Sequence, residues 1–365
     1  MGRSAYLILG PVAVAATLAW AGCGEPIAVL GDTPGLMRIV AGVPDEPGAD
    51  VGGSAVQTLL RHPSGLDMDF DGVLYVSDRD NRRVVAASSS GGVRLVVDDR
   101  LCSGDCLREI TDLAVDGSGG LIVADEHGHR VWRVDIATGA RTLLAGTGES
   151  GTTLDGGPAT ASAINSPRGV AVGVGGEVYF AEGRSHLIRT ILANGTLFTV
   201  AGTGESGFSG DDGPATTARL DFPSGIDVAD GVLYIADTGN RRVRSVDLTS
   251  GTISTVAGNG ISGFGGDGGD PLSASFRQVR DVAATADGRS LYVADSGNHR
   301  IRLVSLASSQ IKTFAGNGET EFAGNLMDAG ATQLKQPLGV ATSPFGLVLI
   351  SDTDHHIVWR TPTGF

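Results

Sequence analysis

Residues 223–258 read PSGIDVADGVLYIADTGNRRVRSVDLTSGTISTVAG, and residues 279–316 read VRDVAATADGRSLYVADSGNHRIRLVSLASSQIKTFAG. Each segment contains four short runs rich in Val, Ile, Leu and Tyr, separated by turns of Gly, Asp and Asn. Such runs are typical of β-strands joined by tight turns. In both segments the second run ends in an acidic residue, Asp237 or Asp295. Each segment therefore predicts one four-stranded antiparallel sheet.

The same unit recurs along the whole chain. Its strand-end acid falls at six positions: Asp78, Asp125, Glu182, Asp237, Asp295 and Asp352. Repeated four-stranded units are typical of the blades of a β-propeller. The sequence therefore predicts an all-β fold, a six-bladed β-propeller of four-stranded antiparallel blades.

The sixth copy begins at Pro337 and lacks a fourth strand, because the pattern ends with its third strand at residues 357–360. Residues 36–42, LMRIVAG, match the fourth-strand column of residues 255–258, TVAG, and belong to no other copy. We expect this N-terminal strand to complete the last blade, which would close the ring and remove an exposed sheet edge.

These units resemble NHL repeats over nearly all of residues 36–361. The shared features are Pro-x-Gly, Tyr-x-Ala-Asp-Thr-Gly-Asn-x-Arg-Val, and Ala-Gly-Thr-Gly followed by Gly-Asp-x-Gly-Pro-Ala. The last feature is most similar to the NHL propellers of teneurin-type and bacterial surface proteins. The NHL family includes an amidating lyase with a histidine-bound zinc, but its ligand motifs match no positions of this chain.

Composition and charge exclude two broad classes of protein. The chain has 41% hydrophobic residues, so it can bury a core and is not disordered. The 56 glycines among 365 residues are expected in turns. The net charge is −14, with scattered basic residues, whereas a nucleic-acid partner requires a positive stripe. We therefore expect no nucleic-acid partner.

The N-terminus predicts export. Arg3 precedes an uncharged apolar run at residues 6–20, which has the length of a signal-peptide core. Ala19-Trp20-Ala21 suits signal peptidase, whereas Ala21-Gly22-Cys23 is similar to a bacterial lipobox that would lipidate Cys23. We expect a signal peptide at 1–22, a tether at 23–35, the propeller at 36–361 and a tail at 362–365. The expected location is periplasmic or at the outer membrane or cell surface, with membrane contact through a lipid anchor only.

The cysteine count supports this interpretation. Cys102 and Cys106 are spaced to close a short disulfide loop in an oxidising compartment, which leaves Cys23 over for lipidation. The alternatives are an unpaired Cys23 and a zinc half-site at Cys102 and Cys106, although no second cysteine pair completes such a site.

Long connections join most blades. The interval is 21 residues from Gly42 to Pro63, and it recurs from Gly146, Gly202, Gly258 and Gly316 to the next blade; only the link from Asp98 to Ile110 is shorter. A constant length indicates ordered loops. One polar column recurs at Asp155, Asp211, Asp267 and Asn325. We expect these residues to cap the helical turn that follows, with calcium binding as the alternative.

Four aspartates mark a candidate metal site. Small residues alternate on one face of each first strand, and that face also carries Asp67, Asp112, Asp227 and Asp281. In a six-bladed ring these four residues form two opposing pairs in the channel. They would bind a cation, calcium being the possible cofactor, or each would bond nearby backbone between blades. We expect no catalytic residues, and no other cofactor.

A column of histidines, His129, His186, His299 and His356, occupies a turn where Arg82 and Arg241 stand in the other copies. One residue per blade in a repeated column indicates scaffolding. We do not expect it to form a converging ligand set.

The predicted function is a non-enzymatic binding or scaffold module with a protein or glycan partner. The alternative is a metal-dependent hydrolase or lyase that uses the channel carboxylates. Connections and second-to-third-strand turns should share one face, and this loop-bearing face is the expected binding rim. Its candidate residues are Phe208, Phe264, Arg241, Arg242, His299 and Arg300. Each Phe either packs onto its own loop or is an exposed apolar anchor.

Overall fold

The computed structural model describes residues 36–362, and these form a six-bladed β-propeller. Each blade is an antiparallel sheet in which the first strand lies nearest the axis and the next two strands follow outward in chain order. The first strand of each blade packs against the first strand of the next, and that of blade 6 packs against that of blade 1. The ring is therefore closed, as the repeats predict.

Each blade begins at a Pro-x-Gly or equivalent segment and follows the predicted strand order. The strands of blades 1 to 3 are Pro63–Met68, Leu74–Asp78, Arg83–Ala87, Val93–Asp98, Ile110–Val115, Gly120–Asp125, Arg130–Asp135, Arg141–Ala145, Pro167–Val172, Val178–Glu182, Leu187–Ile191 and Leu197–Ala201. Those of blades 4 to 6 are Pro223–Ala229, Val232–Asp237, Arg242–Asp247, Thr252–Ala257, Val279–Ala284, Ser290–Asp295, Arg300–Ser305, Gln310–Ala315, Pro337–Thr342, Leu347–Asp352 and Ile357–Pro362, with Leu36–Ala41 from the N-terminal side.

Ring closure by the N-terminal strand is confirmed. Leu36–Ala41 pairs antiparallel with Ile357–Pro362, with Ile39 opposite Trp359. Its inward side chains, Met37 and Ile39 among them, are buried against blades 5 and 6. The third strand of blade 6 includes Pro362, the first residue of the predicted tail.

Short elements occur on the connections and turns; the helical turn on the connections was expected, and the two-residue strands were not. Gly213–Pro214 and Met327–Asp328 add a fifth, two-residue strand to blades 4 and 6. The 3₁₀ helices of the described chain are Ala55–Gln57, Arg79–Asn81, Ala159–Ala161, Gly183–Ser185, Ala215–Thr217, Pro271–Ser273, Ser296–Asn298, Ala329–Ala331 and Thr353–His355. Residues 36–362 include no α-helix, and accordingly no helix long and apolar enough to cross a bilayer.

The core consists of six clusters, each shared by two adjacent blades. Glycine is required where first strands meet near the axis. A Cβ on Gly65 would lie 2.5 Å from the Asp112 Cα, and one on Gly225 would lie 2.7 Å from the Asp281 Cα. The small residues of the first strands thus let six strands converge.

The predicted disulfide is present: Cys102 is bonded to Cys106 in the short connection between blades 1 and 2. Cys23, the predicted signal peptide at 1–22, the tether at 23–35 and residues 363–365 lie outside the described residues.

Candidate functional sites at the channel and the loop face

The long connections and the second-to-third-strand turns lie on one face of the ring, here called the loop face. In every blade a backbone N–H of the turn donates to a carbonyl of the connection that enters the blade. These bonds join Asp80 to Arg61, Glu126 to Glu109, Gly183 to Ser166, Gly239 to Asp221, Ser296 to Gln278, and Asp354 to Lys335. The loop face is therefore hydrogen-bonded to the blades around the whole ring.

The strand-end acids hold this face together. Asp237 is fully buried and accepts from the Asn240 amide at 2.7 Å and from the Asp221 N–H at 2.7 Å. Asp295 is equally buried and accepts from Asn298 at 2.7 Å. Burial raises the pKa of both carboxyls above the ordinary value, to about 6 for Asp237. Both acids are therefore structural, since each ties the turn after its strand to the connection that enters the blade.

The polar column of the connections does not cap the following turn, so that prediction is wrong. Asp211 instead lies 2.7 Å from Nη2 of Arg244, and its other oxygen accepts from Thr255 Oγ1 at 2.7 Å. Asp155 and Asp267 pair in the same way with Arg189 at 2.9 Å and Arg302 at 2.6 Å. Asn325 accepts from the Ile39 N–H at 3.0 Å.

The physical reason is the burial of the arginines. Arg189, Arg244 and Arg302 are fully buried in the third strands of blades 3, 4 and 5. A buried guanidinium requires a counter-charge. Each is therefore paired with a strand-end acid on one side and a connection carboxylate on the other.

The histidine column is scaffolding, as predicted. The Nδ1 atoms of His129, His186, His299 and His356 accept from the backbone N–H of the residue before the next first strand, at 3.0–3.3 Å. Those donors all have φ near +50°, from 50° to 52°, which is unfavourable for residues other than glycine. Burial lowers the pKa of His129, His299 and His356, which favours the neutral ring that can accept such a bond.

The rim residues form two matching stacks. The Arg242 guanidinium lies 3.8 Å from the Phe208 ring centroid, and that of Arg300 lies 4.0 Å from the Phe264 centroid. Phe208 is 41% exposed and Phe264 is 46% exposed. Each phenyl ring is therefore partly packed and partly exposed. One face packs on an arginine, and the remainder is open to solvent. Arg241 and His299 occupy the left-handed turn position behind these stacks.

The four channel aspartates bridge neighbouring blades. Asp67 accepts from its own strand at the Met68 N–H and from blade 2 at the Val115 N–H, both at 2.7 Å. Asp227 does the same with Val228 at 2.8 Å and Ala284 at 2.7 Å. Asp112 and Asp281 accept from the N–H groups of Val170 and Val340 in blades 3 and 6, both at 2.9 Å. Each carboxylate therefore links two inner strands.

Burial is the main cause of the shifted pKa values of these four aspartates. Burial raises the pKa of Asp67 and of Asp281 to about 7 and that of Asp227 to about 6, and it raises the pKa of Asp112 well above the ordinary value. A raised pKa favours the protonated carboxyl, which is a weaker cation ligand than the carboxylate. Residues 36–362 contain no group of three or more His, Cys, Asp or Glu side chains arranged to hold a metal.

The channel has two unequal mouths. The mouth opposite the loop face opens into a cavity of 430 Å³ that contains Asp67 and Asp227 among Val, Ala, Leu and Ile side chains. The mouth on the loop face is a cavity of 60 Å³ lined by Arg79, Arg168 and Arg280. Sequence reasoning missed these three arginines. The sequence does contain a signal for them, because each stands in a column of the repeat where other copies have a different kind of residue.

Two family models match the chain. That of the teneurin NHL domain matches residues 47–207, and that of the NHL repeat matches residues 276–302. Relatives include NHL repeat-containing protein 2 of Homo sapiens, 26% identical over 65% of this chain and 36% of that protein. Protein SUPPRESSOR OF QUENCHING 1, chloroplastic, of Arabidopsis thaliana is 28% identical over 65% of this chain, and Teneurin-1 of Gallus gallus is 26% identical over 69%. The matches span 23% and 13% of those two proteins, so the chain corresponds to a minor part of these relatives.

Solved structures share the fold. An auxiliary nutrient binding protein from Bacteroides thetaiotaomicron has a TM-score of 0.64 at 14% identity, covering 89% of this chain and 75% of that one. A gluconolactonase from Xanthomonas campestris has a TM-score of 0.58 at 15% identity, covering 90% of this chain and 89% of that one. Both a binding protein and an enzyme use this architecture, so the fold alone does not assign an activity.

Proposed function

Because the chain is an NHL-repeat β-propeller that resembles the NHL domains of teneurins, we propose that it is a non-enzymatic binding module that holds a protein partner on its loop face. The proposal includes a location outside the cytoplasm and attachment to a membrane through a lipid on Cys23.

The distribution of exposed apolar side chains carries the proposal. Residues 36–362 expose 14 large apolar side chains, and nine of these lie on the connections between blades, which run over the loop face and the outer edge of the ring. The nine are Val51, Val56, Leu101, Leu154, Phe208, Ile261, Phe264, Leu272 and Leu326. Exposed apolar groups on a polar rim are a common feature of protein-binding surfaces.

The aromatic residues favour a protein partner over a glycan. Glycan-binding surfaces stack sugar rings on exposed aromatic faces, but Trp132 and Trp359 are buried. The exposed rings Phe208 and Phe264 already have arginines against them. A glycan partner remains an outcome of the capture experiment described next.

The rigidity of the loop face also supports binding. The buried arginines and the histidine column anchor the connections to the blades, so a partner would meet a preorganised surface and less entropy would be lost on association. The geometry gives less support to the hydrolase or lyase alternative. The channel carboxylates serve as inter-blade acceptors, and their raised pKa values disfavour cation binding.

Capture of proteins from an extract of the native cell envelope tests whether the loop face binds a protein partner. The variant Leu101→Ser/Ile261→Ser removes two exposed side chains, 98% and 64% exposed, from the loop face. The matched control Phe70→Ser/Val174→Ser removes two from the opposite face, where they are 81% and 101% exposed. We expect the loop-face variant to lose capture of a specific protein by about tenfold or more, and the control to retain it. Equal retention by both variants would contradict the proposal, and capture that glycosidase treatment abolishes would assign a glycan.

The anchor has a separate test. The Cys102–Cys106 disulfide supports an oxidising compartment, because such bonds persist mainly outside the cytoplasm. We expect Cys23→Ala to move the protein from the membrane to the soluble fraction and to abolish incorporation of labelled fatty acid. Cys102→Ser/Cys106→Ser is the matched cysteine control. An unchanged membrane fraction for Cys23→Ala would favour ordinary cleavage after Ala21.

A further inference from the structure

The loop-face mouth of the channel collects three arginines around one small cavity. Arg79, Arg168 and Arg280 line this 60 Å³ space, here called the arginine mouth, together with the carboxyl groups of Asp112 and Asp281 and small residues of the first strands. Burial raises the pKa of both carboxyls, which favours the uncharged form that does not repel an anion. The three arginines come from blades 1, 3 and 5, which alternate around a six-bladed ring. Guanidinium groups are thus contributed from three sides of the axis.

The first departure from the repeat concerns the residue after the strand-end acid. In blades 4, 5 and 6 it is a hydroxyl that donates to the first strand of the next blade. Thr238 Oγ1 reaches the Val279 carbonyl at 2.7 Å, Thr353 Oγ1 reaches the Pro63 carbonyl at 2.7 Å, and Ser296 donates to Pro337.

In blades 1, 2 and 3 the same column contains Arg79, Glu126 and Gly183. None of these residues supplies a side-chain hydroxyl for the inter-blade bond. In blades 1 and 2 other hydroxyls reach the equivalent carbonyl, Ser77 that of Ile110 and Thr111 that of Pro167 at 3.4 Å. The column itself is therefore free to contribute charged residues to the loop face, Arg79 and Glu126.

The second departure concerns the residue after the start of the first strand. Thr111 and Ser224 donate to a first-strand carbonyl of the next blade, at 2.9 Å and 2.6 Å. Arg168 and Arg280 stand in this column in blades 3 and 5. A Cβ on Gly183 would lie 2.9 Å from the Arg168 Cδ, so the glycine leaves room for that arginine.

The carboxylates near the mouth are divided unequally among the arginines. Glu126 lies 3.0 Å from Nη2 of Arg168, and Arg79 Nε lies 3.0 Å from Asp80 and 3.7 Å from Glu109. Within residues 36–362, Arg280 forms no ion pair with a carboxylate. The Gln278 side-chain amide lies beside this guanidinium, and turning the amide by 180° would place its oxygen 2.9 Å from Nη2 as an acceptor. Burial and the repulsion of Arg168 and Arg79 lower the pKa of Arg280 to about 10.

We propose that the arginine mouth binds an oxyanion group, a carboxylate or a phosphate, with Arg280 as the principal donor and Arg168 and Arg79 flanking it. The planar guanidinium matches either anion through paired hydrogen bonds. A cavity of 60 Å³ has room for one such group, and the remainder of a larger ligand would extend over the loop face. The inference goes beyond the proposed function, because a small anion can occupy the mouth without a protein partner.

The test is a calorimetric titration of the full chain with inorganic phosphate and, separately, with succinate, at constant ionic strength in chloride. We expect saturable binding of one anion per chain. Phosphate binding alone would assign a phosphate group as the ligand, succinate binding alone would assign a carboxylate, and binding of both would assign a general oxyanion site.

Arg280→Gln should weaken this binding by about tenfold or more, since it removes a charge-assisted donor pair. Arg289→Gln is the matched control, because it removes the same charge from an exposed arginine of the same blade, 76% exposed, outside the mouth. Arg280→Lys keeps the positive charge but lacks the planar guanidinium with its paired donors. It should bind with reduced affinity, so the prediction stays testable if the Gln variant does not fold. Absence of saturable binding to the parent protein, or equal loss in the Gln variants of Arg280 and Arg289, would overturn the proposal.

Discussion

At the scale of single residues, the ring depends on neutral histidines. His129 and His299 accept through Nδ1 from the backbone of Ser166 and Gln336, both held at positive φ. A protonated imidazole has no free lone pair and cannot accept these bonds. The pKa of each ring is lowered mainly by burial, so the folded protein binds protons more weakly here than the unfolded chain.

This difference predicts a loss of stability in acid. The contribution of these rings is fully present above the unfolded pKa near 6.5, and it is lost as pH falls through the lower folded pKa. His129→Asn/His299→Asn should remove this dependence, because the Asn oxygen accepts at any pH and Asn tolerates positive φ. We expect an effect of about 0.5 kcal/mol or less for each ring, since both are partly exposed.

The measurement is urea unfolding of the parent and the double variant between pH 5 and pH 7.5. The channel aspartates and His355, whose pKa values are raised, favour folding at low pH in both proteins, so only the difference between them reports on the two rings. A difference that does not change with pH would contradict the prediction.

At the scale of elements, buried arginines hold the connections on the blades. Arg244 lies between Asp237 of the second strand and Asp211 of the connection, and the Phe208 ring covers it at 4.9 Å. A loop of this length would otherwise be costly to order. The repeated ion pair therefore orders three of the five equal connections, those that enter blades 3, 4 and 5.

Asp211→Asn tests this role. It removes the short ion pair of a fully buried guanidinium, so we expect unfolding free energy to fall by about 1–3 kcal/mol and amide exchange in residues 203–222 to accelerate. Asp212→Asn is the matched control, because this neighbouring carboxylate is exposed and accepts only from Ser254 Oγ, at 3.0 Å. It should cost less than about 0.5 kcal/mol. Equal losses in the two variants would show that the ion pair is not the cause.

At the scale of the whole molecule, closure connects residues that are far apart in the chain. The strand Leu36–Ala41 completes a blade begun at Pro337, and Thr353 donates to the Pro63 carbonyl across the closing junction. A closed ring has no open junction between its first and last blades. Every hydrophobic cluster between blades is therefore covered by a blade on each side. Opening one junction should therefore affect all blades together.

Two truncated chains test closure. A chain that begins at residue 43 loses the buried Met37, Ile39 and Ala41, so we expect a loss of stability on the order of 5 kcal/mol or more. A chain that begins at residue 36 keeps this strand and serves as the control. Thermal unfolding followed by circular dichroism measures both. Closure would be refuted by equal melting temperatures.

The sequence by itself determined the repeat, and the repeat determined the ring. The blade number, the closing strand at 36–42 and the scaffolding histidines follow from columns that recur in register, because β-strands and turns are specified locally. The disulfide of Cys102 and Cys106 follows from the spacing and number of the cysteines. Tertiary structure decided where side chains point across blades. Asp211 pairs with Arg244 from a strand 33 residues later, and Arg79, Arg168 and Arg280 meet only at the axis. Such meetings depend on side-chain direction and distance between blades, and a one-dimensional pattern does not contain either.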